Sequence, residues 1–295
     1  MVTVLPRLVS AHCGQRAVFD GIMMIRYIDY TVASLRPYIN WLYFFHAWGL
    51  AGKPQAEKDR LREEAESMLD LFEPRYRTHA VFGLFEANSD GDDLLLGGVR
   101  IPMLRQQHPA SADAPNLCLA DFVRPLSSGI ADRAGAFATT VDTAMEHDFL
   151  GDDYARMLSQ TLADRLAEAT AEVMHMEVRR TYWGYAPDER LSVRELLRED
   201  FQGIRPAVGY PSLPDTSLNF LLDRLLDMKR IGIRLTESGS MKPHASVSGL
   251  MFSHPMSRYF DVGRIDNTQL CDYARRRHIP VEMARRFLGG RVAEQ

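Results

Sequence analysis

The residues best equipped for chemistry in this chain begin at Arg205-Pro-Ala-Val-Gly-Tyr210. A guanidinium presents a rigid fork of N–H donors that grips a carboxylate through two parallel hydrogen bonds, so Arg205 is a candidate anion clamp. Pro206 fixes the chain beside it, and Gly209 lets backbone approach a ligand closely. Tyr210 adds a flat apolar face with a polar tip. An Arg-Pro turn of this kind also occurs as a plain surface turn whose arginine joins an ordinary salt bridge. The hexapeptide alone does not choose. Downstream stand Leu235-Thr-Glu-Ser238, Ala245-Ser-Val-Ser-Gly249, Phe252-Ser-His-Pro255 and the pair Tyr259-Phe260. An unperturbed imidazole titrates near neutrality, so His244, with Tyr210, is the candidate for proton transfer. The competing reading of His244 is a loop residue.

Other chemistries find less support. The nine histidines form no HExxH and the three cysteines no Cys-x-x-Cys, so no metal site is expected. His12-Cys13 reads as an accident of sequence. Neither GxGxxG nor GxxxxGK[ST] occurs, so no dinucleotide or P-loop site is implied. The Asn88-Ser-Asp-Gly-Asp-Asp93 turn is too short for a calcium loop and lacks its distal glutamate. Asp164 and Glu168 lie four residues apart and share a helix face, which by spacing alone reads as a solvated charge pair.

Composition sets the outer bounds. The 295 residues are 46% hydrophobic and 25% charged, as in an ordinary globular protein. The net charge of −4 argues against nonspecific nucleic-acid binding. No apolar run reaches the roughly 20 residues that span a bilayer, so no membrane role is expected. The start lacks a basic segment followed by a long apolar core, as a signal peptide would show. Cys13, Cys118 and Cys271 are scattered and odd in number, which suits reduced thiols and a cytoplasmic location.

The elements that must position these residues follow from periodicity. Residues 1–29 are assigned as an N-terminal extension and 30–295 as the main domain. Tyr38 to Gly49 is rich in aromatic residues and reads as a buried wall. Gln55 to Phe72 carries Leu61, Ala65, Met68, Leu69 and Phe72 at helical spacing. Apolar runs at 80–85 and 94–104 flank the Asn88–Asp93 turn, predicting a hairpin. Gly151 to Arg180 predicts a long helix, and Ser192 with Glu195 a capping box for a second one ending near Glu199. A further helix is expected over 215–229, and strands over 231–236, 245–252 and 259–265. Two helices follow over 268–288, with Pro280 early in the second. This order predicts an α+β fold with an antiparallel sheet and helices around it.

The series RPAVGYP, LTES, ASVSG and FSHP resembles the activation domain of cobalamin-dependent methionine synthase, which binds S-adenosylmethionine (AdoMet). So do Leu119-Ala-Asp-Phe-Val123, Gly135-Ala-Phe-Ala138, Leu162 to Glu168 and Tyr182-Trp-Gly-Tyr-Ala-Pro187, and the likeness runs from about Tyr30 to Arg286. It implies a single C-shaped domain with a twisted antiparallel sheet and AdoMet on its concave side. It further implies that Arg205 clamps the ligand carboxylate and that Glu199 lies near its amino-acid end. Ala207, Tyr210, Tyr259 and Phe260 would complete the contacts, with Phe260 replacing the second tyrosine of a Tyr-Tyr pair. Asn40 stands where the family places an aspartate against the ammonium. Asp164 and Glu168 would face the cobalamin side.

Departures cluster on that same side: Lys242-Pro243-His244, Leu250-Met251 and Leu213 to Thr216 differ from the family pattern. Nothing resembles a cobalamin-carrying module, so cobalamin would arrive on a partner protein. Two functions are therefore weighed. One is an enzyme that cyclises AdoMet to 1-aminocyclopropane-1-carboxylate (ACC) and releases methylthioadenosine, with Tyr210 and His244 moving protons and no cofactor beyond AdoMet itself. The alternative is a reactivation subunit that binds AdoMet for reductive methylation of cobalamin on a separate methionine synthase. The altered cobalamin-side loop and the retained clamp favour the first.

Overall fold

A strand rich in β-branched and aromatic residues, β1 (Ile22–Thr31), opens the described part of the chain. The structure, a computed structural model, describes residues 21–109, 111 and 114–293. Three helices follow, α1 (Val32–Leu35), α2 (Trp41–Ala47) and α3 (Gln55–Phe72). Next come β2 (Arg77–Asp90), β3 (Asp93–Leu96), β4 (Val99–Pro102) and β5 (Asp132–Val141). Helices α4 (Asp153–Glu177), α5 (Val193–Leu196) and α6 (Asn219–Leu226) lead to β6 (Arg234–Leu235), β7 (Met241–Lys242) and β8 (Ser246–Met251). Helices α7 (Asn267–Arg277) and α8 (Val281–Leu288) close the fold.

Strands β4-β3-β2-β5-β8 form one antiparallel sheet, and β1 and β3 share an edge of β2 in succession. The side-chain alternation of a strand divides the core in two. Phe82, Leu84 and Phe137 point to one face, where Leu162, Leu166 and Val173 of α4 cover them. Val81, Phe85, Ala134, Ala136 and Ala138 point to the other, against Leu222, Leu225 and Leu226 of α6. Buried hydroxyls tie α4 to the sheet: Thr139 Oγ1 donates to the Ala167 carbonyl at 3.0 Å, and Thr170 Oγ1 meets Thr78 Oγ1 at 2.7 Å. The α+β class and the hairpin around Gly91 are as expected.

Several expectations need correction. The boundary at residue 30 falls inside β1, so the sheet reaches back to Ile22. The strand expected over 259–265 joins no sheet; it is held by Val262 N donating to the Pro211 carbonyl and by one isolated bridge, in which Ile265 N donates to the Arg291 carbonyl and Ala293 N to the Ile265 carbonyl. The expected 231–236 strand shrinks to the two residues of β6. Around α2, Ile39 and Phe44 are buried, whereas Tyr43 and Leu42 are exposed, so this aromatic stretch is only partly a wall. Cys118 is buried and free, and Cys271 exposed and free; His12-Cys13 lies outside the described residues.

Candidate functional site

The Arg205 segment lies along the free edge of β8. Ile204 and Phe252 exchange both backbone bonds at 2.9 Å, Val208 N donates to the Ser248 carbonyl at 2.8 Å, and Leu250 N to the Pro206 carbonyl at 3.0 Å. Residues 204, 206 and 208 therefore face β8, and the backbone of 205 and 207 faces away from it. Gly249 permits this approach: a Cβ there would stand 2.2 Å from the Pro206 carbonyl oxygen and 2.9 Å from Ala207 Cα. Gly209, at φ +90°, then turns the chain so that Tyr210 N bonds back to the Ala207 carbonyl. Arg205 N donates to Tyr259 Oη at 3.0 Å, which fixes the ring of Tyr259 beside the clamp.

Helix α4 forms the opposite wall. Asp152 starts it as N-cap, its carboxylate accepting from Tyr154 N and Ala155 N. Asp164, Glu168 and Glu172 recur at four-residue spacing and so form one stripe. Glu172 Oε1 accepts from Arg205 Nη2 in an ion pair whose side chains are only 10% and 9% exposed. Glu172 Oε2 and Arg205 Nε are buried with no hydrogen-bond partner. Tyr210 Oη donates to Glu168 Oε1 at 3.1 Å.

These elements enclose a cleft of about 890 Å³, within the ~300–1,000 Å³ usual for small-molecule sites. Asn40, Glu199, Arg205, Ala207, Tyr210, Tyr259 and Phe260 all line it. Residues distant in sequence thus converge on one surface. Asn40 has a local task as well, its Oδ1 accepting from Tyr43 N as N-cap of α2. Glu199 follows the short α5 at a positive φ of 61°, and desolvation, with the nearby charge of Glu168, raises its pKa. Desolvation outweighs its other neighbours in raising that of Tyr259.

The two proton-transfer candidates fare differently. The charge of Glu168, helped by burial and the hydrogen bond, pushes the Tyr210 phenol up to about 12, so it is a donor and a poor base. His244 does not line the large cleft. It is exposed in an adjoining recess of about 190 Å³, near Asp164 and Glu168, where Nε2 contacts Lys242 Nζ and its backbone N contacts Glu146. Burial raises the Asp164 pKa on this side.

Glu172, Tyr38 and Tyr43 also line the cleft and were not among the residues expected there. The signal for Glu172 was its place on the Asp164-Glu168 stripe. The arrangement offers a buried guanidinium, several carboxylates and aromatic faces, a set suited to a ligand carrying both charges and a flat ring. No group of three or more metal-ligating side chains occurs among the described residues, and none of their helices is long and apolar enough to cross a membrane.

The family described as vitamin B12 dependent methionine synthase, activation domain, matches residues 31–278. A crystal structure of the MetH reactivation domain bound to AdoHcy is similar at 41% sequence identity and a TM-score of 0.86. That similarity covers 92% of this chain and 91% of the other.

Proposed function

This chain belongs to the vitamin B12-dependent methionine synthase activation domain family, and on that footing we propose that it binds AdoMet in the 890 Å³ cleft to support reductive methylation of cobalamin carried on another module. The observation that carries the reading is the convergence of Arg205, Glu199, Ala207, Tyr210 and Tyr259 on one cleft with a buried, incompletely bonded guanidinium. Arg205 holds the carboxylate of the ligand, Tyr259 braces the clamp through the Arg205 amide, and Ala207 lets the ligand lie close to the backbone. Glu168 and Glu199 line the cleft beside these residues and would place carboxylates within it for a sulfonium ion. Cobalamin, when bound nearby, supplies the metal that accepts the methyl group. The chain itself contributes binding and orientation.

Cyclisation to ACC is the weaker reading. It requires a base at the ligand Cα, and Tyr210 is a donor to Glu168 while His244 sits in the adjoining recess. The test is to incubate the protein with AdoMet, a reductant and a cobalamin-loaded methionine synthase module. Methylated cobalamin that forms only when this chain is present supports the proposal. Release of methylthioadenosine and ACC from AdoMet alone would replace it with the cyclase.

A further inference from the structure

We infer that Glu172 is the receptor for the ligand's ammonium group, so that Glu172 and Arg205 together recognise a zwitterionic α-amino-acid end. The inference deepens the AdoMet reading and rests on it. The ion pair between Arg205 Nη2 and Glu172 Oε1 engages one atom of each group. Arg205 Nε, a donor, and Glu172 Oε2, an acceptor, are left buried without partners, and both residues line the cleft. Burying such atoms unbonded is unfavourable, so two of them on paired residues mark where a ligand completes the network. An α-amino acid carries an acceptor and a donor of matching charge on a single carbon. Its zwitterion adds no net charge to a buried pair that is itself neutral, which limits the desolvation penalty.

The other candidates are less suited. Asn40 is uncharged, and its oxygen caps α2. Glu168 accepts from Tyr210, Asp261 from Arg291 and Gly263 N, and Glu199 makes no hydrogen bond or ion pair with Arg205, whose carboxylate partner is Glu172. Among the carboxylates lining the cleft, Glu172 combines burial, a free oxygen and contact with the clamp.

The test uses calorimetry with S-adenosylhomocysteine (AdoHcy) and its deamino analogue on the wild-type protein and Glu172→Gln. Removing the amine should weaken wild-type binding on the order of tenfold to a hundredfold, as for a hydrogen bond between charged groups. In Glu172→Gln the same change should matter by less than about threefold. Comparing ratios cancels any gain from freeing Arg205 of its partner. If Glu172→Gln does not fold, Glu172→Asp, which keeps the charge but withdraws it, should give a reduced ratio. An equal ratio in wild type and variant overturns the inference, as does wild-type binding indifferent to the amine. Wild-type protein that fails to bind AdoHcy at all removes the AdoMet reading first.

Discussion

Replacing Gly249 with alanine tests whether the β8 edge builds the site. The added Cβ would overlap the Pro206 carbonyl oxygen at 2.2 Å and crowd Ala207 Cα at 2.9 Å, with the Phe137 ring at 2.9 Å on its other side. Two of these neighbours are backbone, and the ring is fully buried, so none yields easily. Overpacking of this kind costs about 1–3 kcal/mol. If the 204–208 segment lifts, the bonds at Val208 N and Leu250 N are lost as well, at about 1 kcal/mol each. The sum is roughly 3–5 kcal/mol, which with a urea m-value of about 3 kcal/mol/M lowers the midpoint by about 1–1.7 M. Arg205 and Ala207 ride on that segment, so AdoHcy affinity measured by calorimetry should fall even where the variant remains folded. Gly290→Ala, whose Cβ would meet nothing within 4 Å, serves as control. A Gly249→Ala protein with the wild-type urea midpoint and wild-type affinity would refute the reasoning.

Three further outcomes are expected. Arg179 is fully buried, donates twice to Glu189 at 2.8 Å and lies 3.8 Å over the Phe201 ring, so Arg179→Met should lower stability by about 3–5 kcal/mol in chemical denaturation. His175 is buried, and burial with the adjacent Arg179 charge holds its pKa well below 6.5. The unfolded chain therefore takes up the proton first, stability falls as pH drops below about 6.5, and His175→Gln should flatten that part of the urea-midpoint profile. His79, raised by Asp29 and Asp142 despite burial, acts in the opposite sense, so the comparison with the variant is what isolates His175. Tyr210→Phe removes one hydrogen bond to Glu168 and keeps the ring, so AdoHcy affinity in calorimetry should stay within about tenfold of wild type.

Much of the site was legible because short backbone signals survive in sequence. Arg205-Pro-Ala-Val-Gly-Tyr210 encodes its own edge segment and turn, and the capping box of Ser192 and Glu195 marks the short helix before Glu199. Glu172 was harder to read, because a glutamate among Ala171, Val173 and Met174 gains meaning only when Arg205 arrives from another element. The central strand β5 was also hidden. Its Asp132–Val141 segment is rich in alanine and glycine, poor strand formers, and is set by pairing with β2 and β8 on both sides. The segment 259–265 shows the reverse: Tyr259, Phe260, Val262 and Ile265 have strand-like residue types, but it joins no ladder and its side chains serve the cleft and the α7–α8 core.

Titration of AdoHcy into the wild-type protein and into Arg205→Ala tests the central claim most directly. The account predicts saturable binding at one site in the wild type, weakened in the variant by about 2–5 kcal/mol because the ligand carboxylate loses its buried partner. Wild-type protein that does not bind, or an Arg205→Ala variant that binds equally well, would contradict it.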